Sequence, residues 1–132
     1  MKVLVDTSVW SLALRRAEGG ESGPVGELRE LIADSRVQLI GPIRQEILSG
    51  IRHEGQFEEL EARLRPFPDL SLNPDDYVMA ARFFNLCRRK GVQGSNTDFL
   101  ICAVAVGHRL SIFSTDKDFV LYAQHLPILL HR

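Results

Sequence analysis

The stretch Asn96-Thr97-Asp98-Phe99-Leu100-Ile101-Cys102-Ala103-Val104-Ala105-Val106 constrains this chain more than any other. From Phe99 to Val106 no residue carries a charge. A run that apolar on every side reads as a helix buried all round, not as an amphipathic surface helix. Asp98 nevertheless sits in its first turn. A carboxylate at the mouth of the most buried element either caps the helix or does chemistry on something brought to it. The remaining acids bear on which.

Short apolar runs alternate with helical periodicities along the rest of the chain. Residues 3–5 form a first strand, ended by Asp6, and residues 8–16 a helix with a basic last turn. The glycine-rich residues 18–24 make a loop. Val25, Leu28, Leu31 and Ile32 keep helical spacing, and residues 37–40 are a second strand. Pro42 suits the first turn of a helix over residues 43–49, with Gly50 as a left-handed cap. Phe57, Leu60 and Leu64 mark another helix. Residues 67–72 are a weak third strand, interrupted by Pro68. Asn73-Pro74-Asp75-Asp76 opens a helix with a stripe of Tyr77, Ala80, Ala81 and Phe84, ending at Arg88-Arg89-Lys90-Gly91. After the buried helix come a strand at 110–114, a helix at 116–124 and a last strand at 128–130. Alternation of this kind predicts a three-layer α/β/α sandwich around a four- or five-stranded, mainly parallel sheet. The 132 residues suit one domain spanning 1–132.

The net charge of −1 assigns any nucleic-acid binding to a local patch. Cys87 and Cys102 both fall in helical runs and read as buried, reduced thiols. Asp6 interrupts the N-terminal apolar run too early for a signal-peptide core, and no stretch is long and apolar enough for a membrane span. A cytoplasmic protein is expected.

Asp6 follows the first strand, Glu46 lies one turn into the helix after the second, and Asp116 follows the strand at 110–114. All three fall at the carboxyl edge of the sheet, where doubly wound sheets place their sites. The buried helix must deliver the chain to the start of a strand, which brings its own N-terminus, and Asp98, back to the same edge. Like charges so close repel unless a cation sits between them. Oxygen-only donors select Mg²⁺ or Mn²⁺ over zinc, and such an ion suits phosphodiester hydrolysis. Each acid alone has a structural reading as a cap or a solvated residue. Asp118 also fits a capping box with Thr115.

Val5-Asp6-Thr7-Ser8-Val9-Trp10, Glu46-Ile47-Leu48-Ser49-Gly50, Asn96-Thr97-Asp98-Phe99-Leu100-Ile101 and Ser114-Thr115-Asp116-Lys117-Asp118-Phe119 together resemble the PIN-domain ribonucleases. They are closest in pattern to the VapC toxins of bacterial toxin–antitoxin pairs. The four motifs occur in the family's order and cover essentially the whole chain. The resemblance implies that Asp6, Glu46, Asp98 and Asp116 are the catalytic, metal-ligating acids, with Asp118, Thr7 and Thr115 supporting them. It implies a Mg²⁺- or Mn²⁺-dependent endoribonuclease that forms a homodimer. It also implies neutralisation by a small antitoxin, through which alone the pair would meet DNA.

Arg44 and Arg52, flanking the Glu46 helix, and Arg15 are the candidate RNA contacts. Trp10 and Phe119 offer stacking faces but read better as core. The loop 18–24 and the helix 56–64 are placed to clamp a groove. Two other classes share parts of this pattern. A receiver-like, phosphorylation-switched module needs its acceptor at the end of the central strand. A haloacid-dehalogenase-type phosphatase needs an acid at position 8, which is serine. A PIN fold kept only as an interaction scaffold is the remaining alternative.

Overall fold

The computed structural model describes residues 1–15 and 23–132. Its centre is a parallel sheet in which β1 (Val3–Val5) lies between β2 (Val37–Gln38) and β3 (Ser111–Phe113). The register pairs Val3 with Val37 and Ser111, Leu4 with Gln38 and Ile112, and Val5 with Phe113. All three β1 residues are fully buried, as expected of a strand covered on both faces. The strands expected at residues 67–72 and 128–130 contract to single bridges. Asp69 pairs with Leu39 and Leu130 with Ile112. Pro68 has no N–H to extend the first of these.

Between β1 and β2 run α1 (Thr7–Arg15) and α2 (Gly23–Ala33). Beyond β2 follow α3 (Gly41–Leu48), α4 (Glu54–Leu64), α5 (Pro74–Arg89) and α6 (Asn96–His108), and α7 (Asp118–Ala123) follows β3. The chain leaves β1 toward one side of the sheet and later returns to the other. The carboxyl end of β1 is therefore the topological switch point, and Asp6 is the next residue.

The apolar run becomes α6, whose residues Phe99, Leu100, Ile101, Cys102, Ala103, Val104 and Ala105 are all buried. Burying each large side chain contributes about 1.5–3 kcal/mol relative to exposure. Arg109, in the left-handed conformation at φ 58°, ends the helix and turns the chain into β3. Gly50 has the expected positive φ, 86°, but α3 is ended by the extended Ser49, whose N–H donates to the Gln45 carbonyl.

Helix α5 packs against α6 on a face one residue out of step with the expected stripe. Asp76, Phe83 and Cys87 are buried, whereas Tyr77 is 53% exposed. Asp76 tolerates burial because it completes a capping box with Asn73 and lies 3.1 Å from His108 Nε2. Both cysteines are buried and unpaired. Among the described residues no helix is long and apolar enough to cross a membrane.

Candidate metal centre

Asp6 extends β1 by one hydrogen bond, its N–H donating to the Phe113 carbonyl at 2.9 Å. The residue is 7% exposed. Its carboxylate Oδ2 accepts from the Ser8 hydroxyl at 2.9 Å and the Ser114 hydroxyl at 2.8 Å. Two donors offset the cost of burying this charge. Ser8 Oγ also accepts the Thr115 N–H, and Ser114 Oγ accepts the Asp116 N–H. The two serines therefore tie the end of β1 to the loop after β3.

Helix α6 is capped by Ser95, whose hydroxyl accepts the Asp98 N–H at 3.1 Å. The Asp98 carboxylate is thus released from the capping role. Its Oδ2 instead accepts a 2.6 Å hydrogen bond from the Tyr122 phenol on α7. Burial pushes the Asp98 carboxyl above its ordinary range. The Tyr122 and Ser95 hydroxyls pull it down, and the charges of Asp6 and Asp116 push it further up. The Tyr122 phenol is raised far above its usual value, first by burial and then by Asp98, so it stays a proton donor.

Asp98, Asp116 and Asp118 each offer a carboxylate oxygen within 4.8 Å of the others. Among the described residues no lysine or arginine is ion-paired with these three, Asp6 or Glu46. The start of α7 differs from the expected capping box. Asp116 Oδ1 accepts the Asp118 N–H at 2.9 Å. That bond orients Asp116 and leaves the Asp118 carboxylate facing the cluster. The exposed Glu46 carboxylate accepts from Thr7 Oγ1 at 2.7 Å across the mouth of the site. An open cleft of about 490 Å³, lined by Thr7, Pro42, Gln45, Glu46, Ser49 and Thr97, flanks it.

The structure thus brings Asp98, Asp116 and Asp118 into one cluster, with Asp6 close enough to act on Asp98 and Glu46 farther out. The supporting residues divide. Thr7 orients an acid, whereas Thr115 contributes only its backbone N–H and is exposed. Ser8, Ser95, Ser114 and Tyr122 were missed. The serines lie inside or beside the quoted motifs, so the signal was present; nothing local marks Tyr122.

Arg44 is engaged structurally. Its guanidinium pairs with Asp69 at 3.0 Å and donates to the Leu64 and Phe67 carbonyls, pinning the chain that follows α4. Arg52 is exposed on the loop between α3 and α4. The Arg15 side chain lies outside the described residues, as does most of the loop expected at 18–24. Helices α1, α3 and α4 line a groove of about 700 Å³ beside Glu46. Trp10 and Phe119, at 4% and 1% exposed, belong to the core.

Residues 3–124 match the family model described as PIN domain. Ribonuclease VapC11 of Mycobacterium tuberculosis is 34% identical over 128 residues, covering 92% of each chain. Among solved structures, VapBC2 from Rickettsia felis, bound to a DNA fragment from its promoter, aligns with a TM-score of 0.78. It has 14% identity and covers 99% of this chain and 98% of that one. FitAcB from Neisseria gonorrhoeae aligns with a TM-score of 0.76 at 21% identity, covering 98% and 96%.

Proposed function

The chain belongs to the PIN-domain family, and from that premise we propose that it is an endoribonuclease, the toxin of a type II toxin–antitoxin pair. One observation carries the reading. A chain 34% identical to a ribonuclease keeps Asp98, Asp116 and Asp118 clustered beside the switch point, with no lysine or arginine paired to them among the described residues.

The donor set fits Mg²⁺ or Mn²⁺. All its atoms are carboxylate oxygens, with no histidine or cysteine among them. Asp98 carries a burial and repulsion penalty that a cation would relieve. Asp6, Asp98 and Asp116 would hold the ion, with Asp118 beside them and Glu46 at the rim. Bound there, it would supply Lewis acidity at a phosphodiester oxygen and lower the pKa of water.

The protein's own residues do the rest. Ser8 and Ser114 lock Asp6, and the Asp118 N–H locks Asp116, so the acids need little reorganisation. Glu46, oriented by Thr7, receives the proton of the attacking water. The water oxygen bonds to phosphorus as the P–O3′ bond breaks, and the leaving 3′-oxyanion takes a proton from solvent water. The products are a 5′-phosphate and a 3′-hydroxyl. Arg52 is the exposed candidate for the RNA backbone.

A small antitoxin is the proposed partner, supported by the fold shared with VapBC2 and FitAcB. A homodimer in the cytoplasm completes the reading. The test is incubation of the purified protein with total RNA in Mg²⁺ or EDTA, beside Asp98→Asn. Cleavage in Mg²⁺ alone, lost in the variant, is expected. Equal cleavage by the variant, or cleavage indifferent to EDTA, refutes the metal site. No cleavage of any RNA supports the scaffold alternative.

A further inference from the structure

Tyr122 is fully buried, yet it carries a hydroxyl where phenylalanine would fill the same space. A buried hydroxyl is costly unless bonded. Its partner is Asp98 Oδ2, at 2.6 Å. The phenol reaches that position because Gly94 has no side chain. A Cβ at Gly94 would stand 2.1 Å from the phenol oxygen and 2.8 Å from Cζ. The ring is held by Phe99, with centroids 4.8 Å apart, and by Phe119 at 5.2 Å. A loop glycine and two core aromatics thus fix the hydroxyl against one carboxylate oxygen.

We infer that Tyr122, seated in the notch at Gly94, is a positioning residue that sets the rotation of the Asp98 carboxylate for a divalent cation. The inference rests on the metal reading above. Partners of this kind fix ligand orientation, and their loss typically weakens metal binding about 10- to 100-fold. The other two proposed ligands have donors of their own, Asp6 two serine hydroxyls and Asp116 a backbone N–H.

The test is calorimetric titration of Mn²⁺ into the metal-free full chain. Wild type and Tyr122→Phe are compared below their melting temperatures, with kcat and KM for RNA measured alongside. The ring of the variant keeps its packing. Its Kd for Mn²⁺ is expected to rise at least about tenfold. KM for RNA stays unchanged, and kcat falls at limiting Mn²⁺ and recovers in excess. Gly94→Ala weakens Mn²⁺ binding in the same direction. It adds less to Tyr122→Phe than to wild type, because both act through one hydrogen bond. A Tyr122→Phe Kd equal to wild type overturns the inference and leaves the metal site standing. Absence of Mn²⁺ binding by wild type overturns both.

Discussion

Replacing Asp98 with asparagine is expected to stabilise the metal-free protein and to abolish its stabilisation by Mn²⁺. Asp98 faces oxygens of Asp116 and Asp118 within 4.8 Å. At that separation two unit charges repel by about 1 kcal/mol in a water-like dielectric, the appropriate limit because Asp116 and Asp118 are exposed. Removing the Asp98 charge therefore relieves about 1–2 kcal/mol at low salt. Against this, the Tyr122 hydrogen bond loses its charge assistance, about 1 kcal/mol at most. The net gain is about 1 kcal/mol or less, a rise in Tm of roughly 2–4 °C for a chain of this length. With free Mn²⁺ at about 100 times Kd, wild type gains about 2.7 kcal/mol and the variant little, so the order inverts. The pH dependence follows from the sign of the shift. The folded-state carboxyl is raised, so metal-free wild type is relatively most stable when Asp98 is protonated. That advantage is lost as pH rises through the folded pKa. Thermal melts in EDTA and in Mn²⁺, at pH 5 and 7.5, read all of this. A variant melting below wild type in EDTA at pH 7.5 would make the carboxylate a net structural stabiliser and refute the reasoning.

Ser114→Ala removes one donor from Asp6 and the acceptor of the Asp116 N–H. Urea unfolding is expected to report a loss of about 1–2 kcal/mol, and RNA cleavage a fall of about tenfold; unchanged values for both contradict this role. Arg44→Met leaves Asp69 and two carbonyls without their donor and is expected to cost about 2 kcal/mol in urea unfolding while sparing cleavage per folded molecule. Weaker RNA binding at unchanged stability would return Arg44 to the RNA surface. Burial pushes both cysteine thiols up, so neither is expected to react with Ellman's reagent until the protein unfolds.

The places of Asp6 and Asp116 were legible because Asp6 directly follows one short apolar strand and Asp116 lies three residues beyond another, and strand polarity then fixes their edge of the sheet. The place of Asp98 was legible because the buried helix α6, thirteen residues long, can run only one way between the sheet edges. What escaped depends on partners distant in the chain. Asp76 is buried beside His108, which moves the packed face of α5 away from Tyr77. Arg44 looked free for RNA because Asp69 and the carbonyls it binds come from another segment. The outer strands shrink to bridges because a pairing partner, unlike an apolar pattern, is not written locally. Thr115 and Ser114 are adjacent hydroxyls, and only the chain's exit from β3 decides which one reaches Asp6. Tyr122 carries no sequence signal, since an aromatic residue on a short helix reads as core.

Whether these carboxylates form a divalent-cation site is tested most directly by Mn²⁺ binding followed by electron paramagnetic resonance. Wild type is compared with Asp116→Asn, a change at an exposed residue whose backbone contacts persist. Wild type is expected to remove Mn²⁺ from the free-ion signal and the variant to bind at least about tenfold more weakly. Equal binding by the two proteins, or none by wild type, would contradict a metal site at these acids.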